Sequence, residues 1–349
     1  MGSPAGTFVI VNHSAARARA AWGAVRRALE GAGVAFDAHE AREFGDARAR
    51  TREALAAGYR TVAVVGGDGT LSEVVNGFFA GAGDGARVID EGAAARRSPP
   101  EAINREAALA LLPAGTGNDF ARAVEGRRAS LESWIARLVA HCRAPGDASQ
   151  PAETTRAVDV LHGTAAAAGG AKAGAGVRSF LCLNAVTVGV GAEVAARVAA
   201  HGGLARRLPG EARFALAAAV GVARWRERRV VVCVDGGEAR ELRTNLIAVV
   251  NSRFAGGGMM FSPDARVDDG LLDVVTAARL SRATLLREMA RVHSGGHVAN
   301  PRVRIERGAR VRIEPASDGD ALPVEADGDV RGRTPLELAV MPRALRVVI

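Results

Sequence analysis

The sequence predicts an α/β plus all-β protein. An N-terminal doubly wound, mostly parallel α/β domain covers residues 1–150, and a C-terminal antiparallel β-sandwich-like domain covers 151–343. Three observations predict this. Apolar strand runs and helical-period runs alternate through the first half. Two of those strands run into glycine turns that open helices. The second half changes to short strand-like runs separated by turn signals. A length of 349 residues suits two domains, and 48% hydrophobic residues supply a sizeable core.

The elements follow in order. Phe8–Asn12 reads as the first strand. Ala15–Gly31 has helical spacing, with Trp22, Val25 and Leu29 on one face and Gly31 and Gly33 at its end. Val34–His39 is the second strand, Asp46–Ala57 a helix, and Thr61–Val65 a buried strand. Gly66-Gly67-Asp68-Gly69-Thr70 then turns into a helix from Leu71. Gly81–Glu106, with Pro99-Pro100, reads as an extended surface insertion. Ala108–Leu112 is a strand that runs into a second turn, followed by a helix over Leu131–Cys142 and a linker over Pro145–Thr155.

Beyond the linker the strand-like runs include Val158–His162, Phe180–Val188, Val230–Asp235, Leu242–Asn251, Leu271–Thr276, Val303–Ile305, Val311–Glu314, Val324–Ala326 and Leu336–Met341. Asp235-Gly236-Gly237 is a hairpin signal. Helices are expected at Ala212–Trp225 and Thr284–Val292, and Ala165–Gly176 is a low-complexity insertion.

The two glycine turns carry the chemistry. Strand, glycine turn and helix is a layout that binds phosphate, because glycine lets the backbone approach a ligand and free amides at the helix start face the anion. An acid inside such a turn fits phosphate only with a cation between them, so Asp68 points to a Mg²⁺-nucleotide. The second turn, Leu112-Pro113-Ala114-Gly115-Thr116-Gly117-Asn118-Asp119-Phe120-Ala121-Arg122, belongs at the same carboxyl edge of the sheet.

Together GGDGTLSEVVNG and LPAGTGNDFAR resemble the catalytic-domain signatures of the diacylglycerol kinase family, which includes bacterial lipid kinases and sphingosine and ceramide kinases. NAD kinases and phosphofructokinases are similar at GGDG but lack the second motif. The resemblance extends over nearly the whole chain. Gly256–Asp273 looks like the family's GGGM…DDGLLDV segment, and Val324–Asp329 is similar to its closing DGE motif, written here as DGD.

What the resemblance implies is concrete. The activity is an ATP-dependent, Mg²⁺-dependent transfer of phosphate to the hydroxyl of a membrane lipid such as diacylglycerol. Asn12 reaches the nucleotide, and the Gly66, Gly67, Asp68, Gly69 and Thr70 amides and Thr116 hold the phosphates. Asp68 orients Mg²⁺ through water, and Asp327 accepts the lipid hydroxyl's proton. A structural Mg²⁺ falls to Asp269 and the Leu271 carbonyl, with Arg266 where the family has an oxygen donor. The tail Ala344–Ile349 is a strand returning to the first domain. The family's NPxSG turn is Asn12-His13-Ser14-Ala15-Ala16 here, without its proline and glycine. Ala41 stands where a nucleotide-contacting threonine is expected.

Composition excludes other mechanisms. Lys172 is the only lysine among 46 basic residues, so Walker A, Schiff-base and protein-kinase lysines are ruled out and arginine must meet the phosphates. No GxSxG or HExxH occurs. Cys142, Cys182 and Cys233 are odd in number and far apart, which fits free thiols in a reducing cytoplasm. No signal peptide, myristoylation pattern or spanning segment is read, so the expected location is cytoplasmic and peripherally membrane-associated. A net charge of +8 favours anionic surfaces, and 4% aromatics and no nucleic-acid motif argue against nucleic acid. The expected partners are a membrane lipid substrate and a membrane surface, with a homodimer also allowed. Two other functions stand beside this one. One is a soluble-metabolite kinase of the NAD kinase type, and the other a catalytically weak lipid-binding regulator.

Overall fold

The computed structural model describes residues 6–81, 99–144, 154–167, 176–194 and 220–349. Its first half is β1 (Thr7–Asn12), α1 (Ala16–Gly31), β2 (Phe36–Ala41), α2 (Asp46–Ala56), β3 (Thr61–Gly66), α3 (Asp68–Phe78), β4 (Ala108–Pro113), α4 (Asp119–Glu125) and α5 (Leu131–Arg143). The sheet runs β2-β1-β3-β4, all parallel. β3 is buried along its whole length, as its unbroken apolar run requires of a strand covered on both faces. Its carboxyl end and those of β1 and β4 therefore lie on one edge.

The second half contains β5 (Thr155–Ala166), β6 (Val177–Cys182), β7 (Ala185–Gly189), β8 (Arg228–Val234), β9 (Arg240–Val250), β10 (Phe254–Ala255), β11 (Met259–Met260) and β12 (Leu272–Ala278). After them come α6 (Arg282–Arg291), β13 (Val303–Gly308), β14 (Arg310–Pro315), β15 (Pro323–Ala326) and β16 (Asp329–Val348). The antiparallel pairing closes on itself in the order β9-β7-β15-β16-β14-β8 and back to β9. The two layers of this sandwich-like domain are thus joined into a ring, which leaves those strands no free edge.

β16 ties the halves together. Its last residues pair parallel with β4 through Arg346 and Val347, and antiparallel with β5 on the other side. Val158, Val160, Leu345 and Val347 belong to the first domain's core.

Several boundaries differ from the sequence reading for physical reasons. The expected strand Phe180–Val188 breaks at Leu183 and Asn184 into β6 and β7, because those two amides turn to bind Asp327. Most of the helix expected at Ala212–Trp225 and of the insertions at Gly81–Glu106 and Ala165–Gly176 lies outside the described residues, as does residue 172. α5 and α6 start as serine-capped helices do, with Ser130 accepting from Ser133 N and Ser281 from Thr284 N, both at 3.2 Å. Among the described residues no helix is long and apolar enough to cross a membrane.

Candidate active site

The first glycine turn is tighter than its sequence suggests. α3 begins at Asp68, so Asp68, Gly69 and Thr70 form its first turn rather than a free loop. Gly67 precedes them in an extended conformation, φ −100°, so close approach rather than a left-handed backbone is what demands glycine here. A Cβ on Gly66 would lie 2.8 Å from Thr70 Cβ, and one on Gly67 would lie 3.0 Å from Gly115 Cα. The Thr70 hydroxyl accepts from Asn12 Nδ2 at 2.7 Å. Asn12 Oδ1 in turn accepts from the Ser14 and Ala15 amides ahead of α1. Asn12 and Thr70 therefore lock the end of β1 to the start of α3. The first-turn amides of α3 are left without intrahelical acceptors.

The second turn packs directly on the first. A Cβ on Gly115 would lie 2.5 Å from Gly67 Cα. Asn118, in the left-handed region at φ 53°, closes the turn by accepting from Gly115 N and donating to Gly115 O. Asp68 joins the two: its Oδ1 accepts from the Asp119 amide at 2.8 Å and from the Phe120 amide at 3.4 Å, capping α4 from another element. Thr116 is exposed, and its hydroxyl accepts from Arg17 at 3.2 Å. Arg128 donates to the Thr116 carbonyl. Arg17 and Arg128 thus bring two cations to the second turn.

The second domain reaches this edge through two loops. Gly257 N donates to Asp119 Oδ2 at 2.7 Å, and Arg122 stacks over the Phe254 ring at 4.2 Å. From the opposite side, Asp327 sits in the tight turn between β15 and β16 at φ 47°, a conformation that Asp and Asn tolerate. Its Oδ2 accepts from Leu183 N at 2.8 Å, and its Oδ1 from Asn184 N at 3.0 Å and Ala185 N at 3.4 Å. The break between β6 and β7 supplies this nest of amides.

Asp68, Asp119, Glu325 and Asp327 line one end of a cavity of about 300 Å³. Its remaining walls are largely apolar, with Val190, Leu246, Phe261, Leu285 and Met289 among them. Burial raises the Asp68 carboxyl to about 6, helped by the charges of Asp119 and Asp327. Burial also raises Asp119, while Gly257 N and Arg122 work against it. Glu325 is pushed up to about 7, again mainly by burial, although it accepts from the Thr187 hydroxyl and from Gly328 N.

The Glu325 shift predicts a stability effect. A carboxyl whose folded pKa is raised holds its proton more tightly in the folded state. That contribution is fully present below the ordinary value of 4.5 and is lost as pH rises through about 7. Glu325→Gln should therefore raise the melting temperature relative to wild type at pH 8 and hardly change it at pH 5. Thermal denaturation at the two pH values checks this, and equal shifts at both would contradict it.

The donor set fits a cation at one place and not at another. Asp119 Oδ1 is buried without a hydrogen-bond partner, the Arg122 guanidinium standing 3.8 Å from it, and a Cβ on Gly117 would lie 2.9 Å from Asp68 Oδ2. No preformed group of three or more acidic, His or Cys ligands occurs among the described residues. A pair of carboxylates suits Mg²⁺, which keeps waters and takes further ligands from phosphate. The structural cation expected at Asp269 and Leu271 does not fit. Asp269 Oδ2 is occupied by the Arg307 guanidinium, which also bonds Asp273 Oδ1 at 2.7 Å. Asp269 Oδ1 accepts the Leu271 amide, and Arg156 and Arg266 pair with Asp268. Guanidinium groups fill the place a cation would take.

Asn12, Gly66, Gly67, Asp68, Gly69, Thr70 and Thr116 thus gather on one sheet edge, and Asp327 lines the same cavity as Asp68, near enough for its charge to act on it. Asp269 and Leu271 lie apart from that group. Sequence reasoning gave no role to Asp119, Glu325, Arg17 or Arg128. Asp119 was visible within LPAGTGNDFAR, and Glu325 stands on β15 two residues before Asp327, which lies in the turn that follows. The two arginines have no local signature.

Comparisons with known proteins agree on the family. A model described as the diacylglycerol kinase catalytic domain matches residues 6–150. One described as the YegS C-terminal NAD kinase beta sandwich-like domain matches residues 184–349. A Pseudomonas aeruginosa protein named "Probable lipid kinase YegS-like" is 32% identical over 311 residues, 87% of this chain and 82% of the relative. A Xanthomonas euvesicatoria protein of the same name is 30% identical over 319 residues, 90% of this chain and 87% of the relative. A diacylglycerol kinase structure from Bacillus anthracis superposes with a TM-score of 0.63 at 17% identity, covering 100% of this chain and 98% of that one. At that identity the likeness speaks for the fold alone.

Proposed function

This chain belongs to the diacylglycerol kinase catalytic-domain family with a YegS-type C-terminal domain and is a kinase; on that premise we propose that it moves the γ-phosphate of Mg·ATP to the hydroxyl of a membrane lipid alcohol, diacylglycerol being the first to test. One observation carries the reading. Carboxylates from both domains meet at one end of a cavity whose other walls are apolar. A polar reacting group and an apolar body would both find their complement there.

Each residue's part follows from its geometry. The α3 first-turn amides, with Arg17 beside Thr116, take the phosphates. Asp68 and Asp119 hold Mg²⁺, which when bound neutralises charge on the phosphate oxygens. Asp327, fixed by three amides, keeps lone pairs free to accept the lipid hydroxyl's hydrogen bond and then its proton. A loose phosphoryl-transfer transition state asks chiefly that this hydroxyl be oriented in line, which a fixed carboxylate does. The Gly257–Asp119 bond keeps the second domain over the site and helps exclude water.

A transfer screen with labelled ATP tests the reading over diacylglycerol, a sphingoid base, ceramide, a polyprenol and NAD. Label is expected on a lipid and not on NAD. Transfer to NAD would restore the soluble-metabolite reading, and transfer to nothing would favour the regulator.

A further inference from the structure

We propose that α6 and the turns after it, residues 279–302, form the face that docks on an anionic membrane and admits lipid to the cavity behind it; the reason to dock rests on the lipid kinase reading. Three observations converge on this segment.

The first is charge. Residues 279–302 contain five arginines, Arg279, Arg282, Arg287, Arg291 and Arg302, against one acid, Glu288, a net of +4 out of the chain's +8. Glu288 is buried beneath Arg287 and Arg291 and also accepts from Asn300, so no carboxylate of the segment faces solvent. Half of the excess charge thus sits on a small part of the surface. Such a patch is attracted to anionic headgroups, roughly fivefold in affinity for each arginine near the surface.

The second is apolar exposure at the same place. Leu286 is 48% exposed, one helical turn from Arg282 and beside Arg287. Val298 in the following turn is 42% exposed. Together they make two of the six large hydrophobic side chains exposed among the described residues. Aliphatic groups framed by arginine suit the boundary between headgroups and acyl chains. No Phe, Tyr or Trp occurs in 279–302, so the face lacks the large aromatic platform that single-stranded nucleic acid favours.

The third is what lies behind. The inward face of the same segment supplies Leu285, Met289, Val292 and His297 to the cavity wall, together with Glu288, whose carboxylate is paired with Arg287 and Arg291. One helix therefore separates the cationic surface from the apolar cavity, and the cavity ends at Asp327. A lipid entering beside α6 would cross that apolar span before its hydroxyl met the carboxylates.

Flotation of the full chain with phosphatidylcholine vesicles, with and without phosphatidylserine, tests this. Wild type is expected to float with the anionic vesicles, less so at high salt. Charge reversal at Arg279→Glu and Arg282→Glu, both exposed, should weaken binding by at least about tenfold. Reversal at Arg26→Glu and Arg27→Glu on α1 changes net charge equally and should cost far less. Leu286→Asn should remove the binding that persists at high salt. These side chains are on the surface, so thermal denaturation should confirm that each variant is folded. Transfer to a short-chain diacylglycerol in detergent should be unchanged in the Arg279→Glu, Arg282→Glu double variant, which leaves Glu288 its guanidinium partners and so separates docking from chemistry. Equal losses from both pairs of reversals would overturn the proposal by showing diffuse charge attraction. RNA binding that is lost with Arg279 and Arg282 while vesicle binding stays intact would overturn it in favour of a nucleic-acid face.

Discussion

Asp327→Asn should lower kcat by ~10²–10⁴-fold, the usual range for losing a positioned acid–base group, while Mg·ATP still binds. The residue sits at φ 47°, which Asn accepts as readily as Asp, so the turn should keep its backbone. The substitution is not silent in the fold. An amide group has one acceptor oxygen, and Asp327 uses both of its oxygens to accept from Leu183, Asn184 and Ala185. One of those amides would face an NH₂ group, a loss of about 1–3 kcal/mol. A modest drop in melting temperature is therefore expected beside the large drop in kcat. Asp329 provides the comparison, because its carboxylate is about half exposed and paired with Arg331 at 3.1 Å. If Asp329→Asn abolished turnover and Asp327→Asn did not, the two roles would be exchanged.

Asp68 gives the second large effect, and two substitutions divide its tasks. Asp68→Asn keeps an oxygen to cap α4 through the Asp119 and Phe120 amides but removes the charge. It should retain most of the stability and lose Mg·ATP binding and turnover together. Asp68→Ala loses the cap as well, a further cost of about 1 kcal/mol. It should also loosen the contact between the two glycine turns. Calorimetric titration with Mg·ATP and thermal denaturation separate these outcomes. An Asp68→Asn variant that bound Mg·ATP as wild type does would remove the residue from the cation site.

Much of this arrangement was legible in the sequence because it is local. Strand, glycine turn and helix are contiguous at Gly66–Thr70 and again at Gly115–Asp119, and an unbroken apolar run marks β3 as covered on both faces. Asp327 stands directly before Gly328, a pair that turns favour, and a turn is where it lies. What could not be read depends on contacts across long separations. Asp68 caps a helix 51 residues away, and the amides that hold Asp327 come from a point more than 140 residues earlier. The break between β6 and β7 looked like continuous strand because Leu183 and Asn184 interrupt no pattern on their own. The helix start at Asp68 was missed because glycine at 69 argues against helix by propensity, yet nothing crowds that position. The Arg307 guanidinium that bonds Asp269 comes from the neighbouring strand β13 and leaves no trace near residue 269.

The central claim is that carboxylates at the end of an apolar cavity direct phosphate from ATP to a lipid hydroxyl. Its most direct test follows γ-labelled ATP into the organic phase, with wild type and Asp327→Asn each given mixed micelles of lipid alcohols and Mg²⁺. The account predicts label in a phosphorylated lipid from wild type and at least about a hundredfold less from the variant. Equal label from both proteins, or label that stays wholly with water-soluble acceptors, would contradict it.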